Sequence, residues 1–145
     1  SERWQKPAKT FILNILENEF GLAGLPRPDL DDVGRAYAAP GGFWLAIDGG
    51  KIIGTIGLMD AGNGRAYLKR WYVEKNRRGH CIGTRLVARF REHAAANGFK
   101  RIFIATGPTM ERVFSFYERS GFLRIPALPP GMPRFNDSVF FEGAP

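Results

Sequence analysis

The sequence predicts one domain of the mixed α/β (α+β) class that covers residues 1–145. Apolar residues recur at helical spacing in residues 8–20 and 82–97, and short β-type runs with glycine-rich turns lie between helical segments. The length suits a single domain, and 44% hydrophobic against 24% charged residues is typical of a globular chain. The predicted order is α-α-β-β-β-α-β-α-β-β, which is a layered fold of sheet and helices.

Two helices are predicted before the first strand. The first covers residues 8–20, where the apolar positions at helical spacing are Phe11, Ile12, Ile15, Leu16 and Phe20. Gly21 is a natural stop, and a loop over residues 22–28 follows. The acidic run Asp29-Leu30-Asp31-Asp32 then predicts a short helix that extends to Tyr37, because carboxylates favour the positive end of a helix dipole.

Three antiparallel strands come next, over residues 43–47, 52–58 and 66–73. Asp48-Gly49-Gly50-Lys51 has the composition of a hairpin turn between the first two strands. Residues 60–64 contain two glycines and predict the second turn. The sequence therefore predicts a three-stranded meander in the first half of the chain.

The second half of the chain alternates helices with extended segments. After a charged loop, the predicted elements are a helix over 82–97, a strand over 101–105, a helix over 109–120 with Thr109 as its N-cap, an extended segment over 122–125 and a last edge strand over 138–141. Gly98 and Gly121 suit the two helix ends. Four prolines keep residues 126–136 from pairing as a strand.

The positive charge is concentrated in a quarter of the chain. The formal net charge is +7, and residues 65–101 hold eleven basic and two acidic residues, a local charge of +9 that leaves −2 for the remainder. A field this concentrated attracts a polyanion, either nucleic acid or a small phosphorylated ligand. A solvated helix face is the alternative explanation for such a run.

The composition excludes several classes of site. Cys81 is the single cysteine, so the chain forms no internal disulfide and no cysteine-based zinc cluster. No apolar run approaches the roughly 18–20 residues that a membrane helix needs. Residues 1–7 also lack the apolar core of a signal peptide. We therefore expect a cytoplasmic protein with no metal site and no membrane contact.

The loop before the third helix has the composition of an anion-binding site. It reads Arg78-Gly79-His80-Cys81-Ile82-Gly83-Thr84. Backbone N–H groups at a helix start have no internal partner and suit a phosphate. Gly79 and Gly83 allow the backbone to approach a ligand, and Arg78 adds charge-assisted hydrogen bonds.

This loop resembles the pyrophosphate-binding motif of the GNAT superfamily of N-acetyltransferases, Gln/Arg-x-x-Gly-x-Gly/Ala, which maps onto Arg78 to Gly83. The segment Leu68 to Val73 resembles the family's fourth strand, and Phe116 to Phe122 resembles its FYxxxGF helix end. The hairpin over residues 43–58 resembles its second and third strands. The resemblance covers residues 43–125 in detail, and it implies a largely antiparallel sheet flanked by helices on both faces.

The resemblance implies direct transfer of an acetyl group from acetyl-CoA to an amine, without an acyl-enzyme, so the polyanion is coenzyme A. It assigns the pyrophosphate to the backbone of Arg78, Gly79, His80, Cys81, Ile82, Gly83 and Thr84. It assigns the pantetheine arm to Trp71, Tyr72 and Val73, where the Val73 N–H polarises the thioester carbonyl. Tyr117 matches the helix tyrosine that protonates the leaving thiolate, and a plain core aromatic is its alternative role.

Three departures from the family pattern bear on this expected function. Cys81 stands where the motif has its central glycine, but its side chain is small and its N–H can still donate. The family's usual first strand is absent or shortened before Ala8. Many members carry a catalytic glutamate near the position of Tyr67, where this chain has no acid.

The base that deprotonates the amine is not identified by the pattern. The candidates are Glu17, Glu19, Asp60 and Glu74, each of which is more often a solvated acid. His80 is expected to contact ligand or solvent, and His93 to lie on a helix surface.

The acceptor side is expected at the first two helices. The cluster of Asp29, Asp31 and Asp32 predicts a cationic amine acceptor, and helix capping by these aspartates is the alternative. The loop over residues 126–136 either closes over the acceptor or packs on a second subunit of a homodimer.

Two other functions compete with acetyl transfer. A nucleic-acid-binding domain would use the basic stretch with Trp71, Tyr72 and Phe90. The arginines of the third helix lie toward solvent, however, and no recognition motif accompanies them, so we expect no nucleic-acid partner. The second competitor is a GNAT fold that binds coenzyme A as a sensor, and turnover of acetyl-CoA on an amine separates the two.

Overall fold

The structure, a computed structural model, describes residues 2–22, 24, 26–107, 111–134 and 137–145. Five helices and six strands are present in these ranges. In chain order they are α1 (Glu2–Phe20), α2 (Pro28–Asp31), α3 (Val33–Ala36), β1 (Gly42–Asp48), β2 (Lys51–Asp60), β3 (Arg65–Val73), α4 (Ile82–Ala96), β4 (Arg101–Thr106), α5 (Glu111–Arg119), β5 (Leu123–Ile125) and β6 (Val139–Gly143). A short 3₁₀ turn, Lys75–Arg77, lies between β3 and α4.

The six strands form one sheet in the order β1-β2-β3-β4-β6-β5. Only β3 and β4 pair in parallel, and the other neighbours are antiparallel. Consecutive residues of a strand face opposite sides of a sheet. Trp71 accordingly packs with α4 and α5, whereas Tyr72 packs with α1, α2 and α3. The predicted class, a largely antiparallel sheet with helices on both faces, is confirmed.

The last strand is not at an edge of the sheet, and that expectation was wrong. β6 lies between β4 and β5, pairing Ile104 with Phe141 on one side and Leu123 with Glu142 on the other. Val139 and Phe141 are buried, as an interior strand requires. The edge is the three-residue β5, where Leu123 is exposed, and a short strand suits an edge because it offers few unpaired groups.

The two N-terminal helices also differ from expectation. α1 begins six residues earlier than predicted, because the Gln5 side chain anchors its first turns by donating to Leu30 O and accepting from Val33 N–H. The predicted second helix is divided into α2 and α3 at Asp32, whose carboxylate caps α3 by accepting from Arg35 N–H. The predicted N-cap Thr109 lies outside the described residues.

His93 was expected on a helix surface, but it is half-buried between α4 and β1. Its Nε2 lies 2.9 Å from Pro40 O. Its ring meets Trp44 edge-on, with the ring centroids 5.0 Å apart. His93 therefore packs α4 against the first strand, on the face of the sheet opposite α1.

Candidate active site

The site is a cleft that opens where β3 and β4 separate. The two strands pair only from Arg65 to Tyr67, opposite residues 101–103, and no pairing continues beyond. The separated ends of β3 and β4 line a cleft with a volume of about 1350 Å³. The start of α4, one side of α5 and residues of α1, α2 and α3 complete its wall.

A β-bulge in β3 accompanies this separation. The register between β2 and β3 shifts after Thr55, and Arg70 adopts a left-handed backbone with φ of 54°. The Thr55 hydroxyl donates to Arg70 O over 2.7 Å and holds the bulge in place. A bulge bends a strand and increases its twist, so it turns the end of β3 away from β4.

The backbone of Val73 faces the cleft. Glu74 N–H donates to Ile53 O of β2, and alternate residues of an antiparallel strand direct their N–H and C=O groups to opposite sides. Val73 therefore directs its peptide groups away from β2, toward the side where β3 has lost its partner. The Val73 C=O accepts from Arg78 Nε, so the Val73 N–H is the group available to pair with a ligand that takes the place of a strand.

The phosphate loop, residues 78–84, presents unpaired N–H groups to the same cleft. Cys81 is the N-cap of α4, and no side chain of the described residues caps this helix start. The first intrahelical bond runs from Arg85 N–H to Cys81 O, which leaves the N–H groups of Ile82, Gly83 and Thr84 without an intrahelical acceptor. Helix starts of this kind bind phosphate.

All but one of the predicted site residues line the cleft. They are Trp71, Tyr72, Val73, Arg78, Gly79, Cys81, Ile82, Gly83, Thr84 and Tyr117. His80 is exposed and does not contribute to the lining. Two arginines of α5, Arg112 and Arg119, line the cleft as well, and they lie outside the basic segment that the sequence singled out.

Gly83 is required by packing as well as by access to a ligand. A Cβ at this position would lie 2.9 Å from Phe116 Cζ and 3.5 Å from Val73 Cγ2. The Trp71 indole N–H donates to Gly83 O over 3.2 Å, which ties the start of α4 to β3. The phosphate loop is thereby fixed against both β3 and α5.

Tyr117 is a core aromatic that also lines the cleft. Its ring stacks on Trp71 at 5.8 Å between centroids and meets Phe141 edge-on at 5.2 Å. Burial, followed by the nearby Tyr72, raises the pKa of the Tyr117 phenol well above its usual range, so the phenol keeps its proton at neutral pH.

Arg78 directs its guanidinium into the protein. It donates from Nε to Val73 O over 3.1 Å and forms a two-pronged ion pair with Glu19 of α1, at 2.6 and 2.8 Å. Arg112 of α5 contacts the same Glu19 carboxylate at 3.3 Å. In this arrangement the Arg78 side chain joins α1 to the end of β3.

None of the four carboxylates considered as a base lines the cleft. Glu19 is paired with Arg78, Glu74 is paired with Lys51 and Arg77, and Asp60 accepts from Gly62 N–H in a turn. Glu17 is exposed on α1.

Asp137 is the carboxylate that sequence reasoning missed. Ser138 N–H donates to Thr106 O, so Asp137 lies at the carboxyl end of β4, and it lines the cleft. Burial raises the pKa of Asp137, and the charges of Lys69 and Arg70 oppose the rise. No hydrogen bond or ion pair reaches this carboxylate within residues 2–22, 24, 26–107, 111–134 and 137–145. Its position after a proline-rich loop gave no sequence signal.

The three aspartates of the acidic cluster each have a partner. Asp29 accepts two hydrogen bonds from Arg70, from Nε and Nη2, each of 2.8 Å. It also accepts one from the Tyr37 hydroxyl, of 2.7 Å. Asp31 pairs with Lys9, and Asp32 caps α3 as described above. Helix capping therefore accounts for Asp32 alone.

The proline-rich loop packs on its own chain. Leu128 and Met132 are buried with Tyr67 and Phe103, and the Tyr67 hydroxyl donates to Pro133 O. The position where many family members carry glutamate is thus a buried tyrosine beneath this loop. Residues 135 and 136 of the loop lie outside the described ranges.

Two absences hold for the part of the chain that the structure describes. No cluster of His, Cys, Asp and Glu side chains is arranged to bind a metal ion. No helix has both the length and the apolar character needed to span a membrane.

Comparison with known sequences agrees with this geometry. Residues 9–122 match the model of the Acetyltransferase (GNAT) family. The mouse protein "Probable N-acetyltransferase family 8 member 5" is 30% identical over 125 residues, which cover 82% of this chain and 51% of the mouse protein. "Uncharacterized N-acetyltransferase YjgM" of Escherichia coli K12 is 25% identical over 128 residues, covering 82% and 77% of the two chains. The chain spans about half the length of its mammalian relatives.

Comparison with solved structures gives the same result. A GNAT-family acetyltransferase of Staphylococcus aureus Mu50 superimposes with a TM-score of 0.91 at 30% identity, covering 99% of this chain and 94% of that one. An aminoglycoside 6′-N-acetyltransferase crystallised with coenzyme A shares the fold, with a TM-score of 0.71 at 19% identity and coverage of 94% and 89%. The strand separation, the helix start beside it and these matches together place the chain in the GNAT family of acetyltransferases.

Proposed function

We propose that this protein transfers the acetyl group of acetyl-CoA directly to the primary amine of a small molecule or a peptide. The observation that carries the proposal is the separation of β3 from β4 beside the unpaired N–H groups of α4. Such a cleft suits a long ligand with phosphates at one end and an amide-containing arm. The names of the mouse and Escherichia coli relatives support the reaction type, and the coenzyme A complex of the aminoglycoside enzyme supports the cosubstrate.

The residues around the cleft fit coenzyme A. The N–H groups of Ile82, Gly83 and Thr84 would hold the pyrophosphate, and the backbone of Val73 would pair with the pantetheine arm. When bound, acetyl-CoA supplies the acetyl group as an electrophilic thioester. The Val73 N–H would hydrogen-bond the thioester oxygen and stabilise the negative charge that develops there.

Proton transfer falls to two side chains that line the cleft. The amine attacks in its neutral form, after its ammonium proton has gone to solvent, and we assign Asp137 to accept one of the remaining N–H protons as the nitrogen–carbon bond forms. Tyr117 donates its phenolic proton to the departing sulfur, since its raised pKa keeps that proton in place until then. The nitrogen–carbon bond forms as the carbon–sulfur bond breaks, and a proton then returns from Asp137 to the Tyr117 oxygen through solvent.

The acceptor would enter over α1, α2 and α3. Apolar side chains line this end of the cleft, including Leu16, Phe20 and Met59. The acidic cluster gives the expected cationic acceptor little support there, because Asp29 is neutralised by Arg70, Asp31 lies outside the cleft, and Asp32, which lines the cleft, is engaged in capping α3. We therefore propose an amine attached to an apolar body as the acceptor.

The test is release of free coenzyme A thiol from acetyl-CoA in the presence of single amines, with benzylamine, 2-phenylethylamine and spermidine as probes. We expect turnover with the two aromatic amines to exceed turnover with spermidine. Tyr117→Phe and Asp137→Asn should each lower kcat by about 10²–10⁴-fold. In the unsubstituted protein kcat/KM should fall as Asp137 is protonated, at a pH above the ordinary aspartate value of 3.8, and Asp137→Asn should abolish that dependence.

Asp60→Asn is the matched control, since Asp60 caps a turn away from the cleft and its loss should leave kcat within about twofold. Binding of coenzyme A without turnover on any amine would identify a sensor in place of an enzyme. A Tyr117→Phe rate within a factor of about three of the original would refute the acid role of Tyr117, because proton donation is worth far more.

A further inference from the structure

We infer that Glu19 is a positioning residue for coenzyme A binding, which acts by holding Arg78 against the end of β3. The inference rests on the proposed use of coenzyme A and concerns how the phosphate loop is held for it. Glu19 is the next-to-last residue of α1 and belongs to none of the motifs in the sequence.

In this arrangement the contacts of Arg78 keep its guanidinium from hydrogen-bonding a bound phosphate. Its Nε donates to Val73 O at 3.1 Å, and its two terminal nitrogens meet the two oxygens of Glu19 at 2.6 and 2.8 Å. A guanidinium is planar and rigid, so these three bonds fix its orientation. The phosphate is then left to the backbone N–H groups, and Arg78 fixes where the loop starts.

Glu19 itself does not line the cleft. Its side chain is 14% exposed and faces a separate groove along α1, beside Lys51 and Glu74. Arg112 of α5 adds a weaker contact at 3.3 Å. Glu19 therefore joins three parts of the cleft wall, which are the phosphate loop, the end of β3 and the start of α5, and it acts on a ligand through Arg78.

Simple electrostatics and positioning predict opposite effects of removing this carboxylate. Glu19 carries a negative charge near a site for a polyanion, so charge repulsion alone would weaken coenzyme A binding. Neutralising it would then tighten binding. If Glu19 holds Arg78 and the loop in place, neutralising it frees both, and binding weakens because the N–H groups must be reordered by the ligand.

Isothermal titration calorimetry shows whether neutralising Glu19 raises or lowers the Kd for coenzyme A. Coenzyme A is the ligand for every variant. We expect Glu19→Gln to raise Kd about tenfold, the size of losing one charge-assisted hydrogen bond. Glu17→Gln is the matched control, because it removes the same charge from an exposed position two residues earlier on α1. We expect it to leave Kd within about twofold. Glu19→Asp retains the carboxylate and should recover part of the affinity, which a change in folding alone would not give.

A double-mutant cycle identifies the route of the effect. If Glu19 acts through Arg78, the pair Glu19→Gln with Arg78→Gln should bind coenzyme A no more weakly than Arg78→Gln alone. Unchanged or tighter binding by Glu19→Gln would overturn the inference while leaving the proposed function intact. Failure of the unsubstituted protein to bind coenzyme A would overturn both.

Discussion

Cys81 shows how one side chain can conflict with the backbone that its position requires. It is the N-cap of α4 and has φ of 63° and ψ of 15°, in the left-handed region. This conformation costs a residue with a Cβ roughly 1–2 kcal/mol, and glycine avoids that cost. The family motif has glycine here, so the requirement is set by the turn into the helix. The thiol is exposed and contributes no cap.

Cys81→Gly should therefore stabilise the protein. We expect a gain of about 0.5–1 kcal/mol in the free energy of unfolding, because relief of the backbone strain exceeds the entropy that glycine adds to the unfolded chain. Urea denaturation measures it. Cys81→Ala, which removes the thiol but retains the Cβ, should leave stability within about 0.5 kcal/mol. An equal gain for both variants would mean that the sulfur, and not the backbone, is the source of the strain.

At the scale of elements, a buried ion pair joins β3 to α2. Arg70 in the β-bulge and Asp29 in α2 are only 15% and 14% exposed, and the Tyr37 hydroxyl completes the group. Burial would raise the pKa of Asp29, but the hydrogen bonds and charge of Arg70, with the hydrogen bond of Tyr37, outweigh it and hold the pKa below its ordinary value. The pair fixes the bulge that opens the cleft.

Asp29→Asn should destabilise the protein by about 3 kcal/mol, because it leaves Arg70 buried without its counter-charge. Since the folded pKa of Asp29 is below its unfolded value, this contribution is present above pH 3.8 and is lost as the pH falls through the folded value. Urea denaturation at pH 7 and in steps below pH 4 checks both points.

Asp31→Asn is the control for that substitution. Its pair with Lys9 is exposed, with 64% of the Asp31 side chain accessible, and should contribute less than about 1 kcal/mol. Equal losses from the two substitutions would contradict the assignment, as would a loss from Asp29→Asn that does not diminish in acid.

Sequence patterns predicted what is decided locally and missed what is decided by distant contacts. The predicted helix over 82–97 differs from α4 by one residue, because an apolar stripe and a glycine stop are local signals. The partners of two arginines were missed, since Arg78 meets Glu19 across 59 residues and Arg70 meets Asp29 across 41. The place of β6 between β4 and β5 was missed for the same reason, because order along the chain does not specify order in the sheet.

At the scale of the whole molecule, the basic residues of segment 65–101 are dispersed over the fold. Of its eleven basic residues, all of them described, the four that line the cleft are Lys69, Arg70, Arg77 and Arg78. Arg70, Arg77 and Arg78 form ion pairs with Asp29, Asp48 and Glu19. Arg101 lies at the opposite end of β4 and pairs with Glu142. The directions of the strands and helices therefore carry this charge to both ends of the sheet, and only part of it faces the cleft.

Arg119 of α5 lies outside residues 65–101 in the sequence, but its side chain lines the cleft. Its substitution tests whether a positive charge on the cleft wall contributes to coenzyme A binding. We expect Arg119→Gln to raise Kd for coenzyme A about 3–10-fold at low salt, because a cation on the cleft wall interacts with the phosphates at short range. The difference should diminish as added salt screens the exposed charge.

Arg89→Gln removes the same charge from the exposed side of α4, away from the cleft. If position on the cleft wall decides affinity, this variant should bind coenzyme A within about twofold of the original protein at every salt concentration. If the net charge of the molecule decides it, the two substitutions should weaken binding equally. Titrations of both variants at two ionic strengths distinguish these outcomes, and equal losses would show that the +7 charge attracts coenzyme A as a whole.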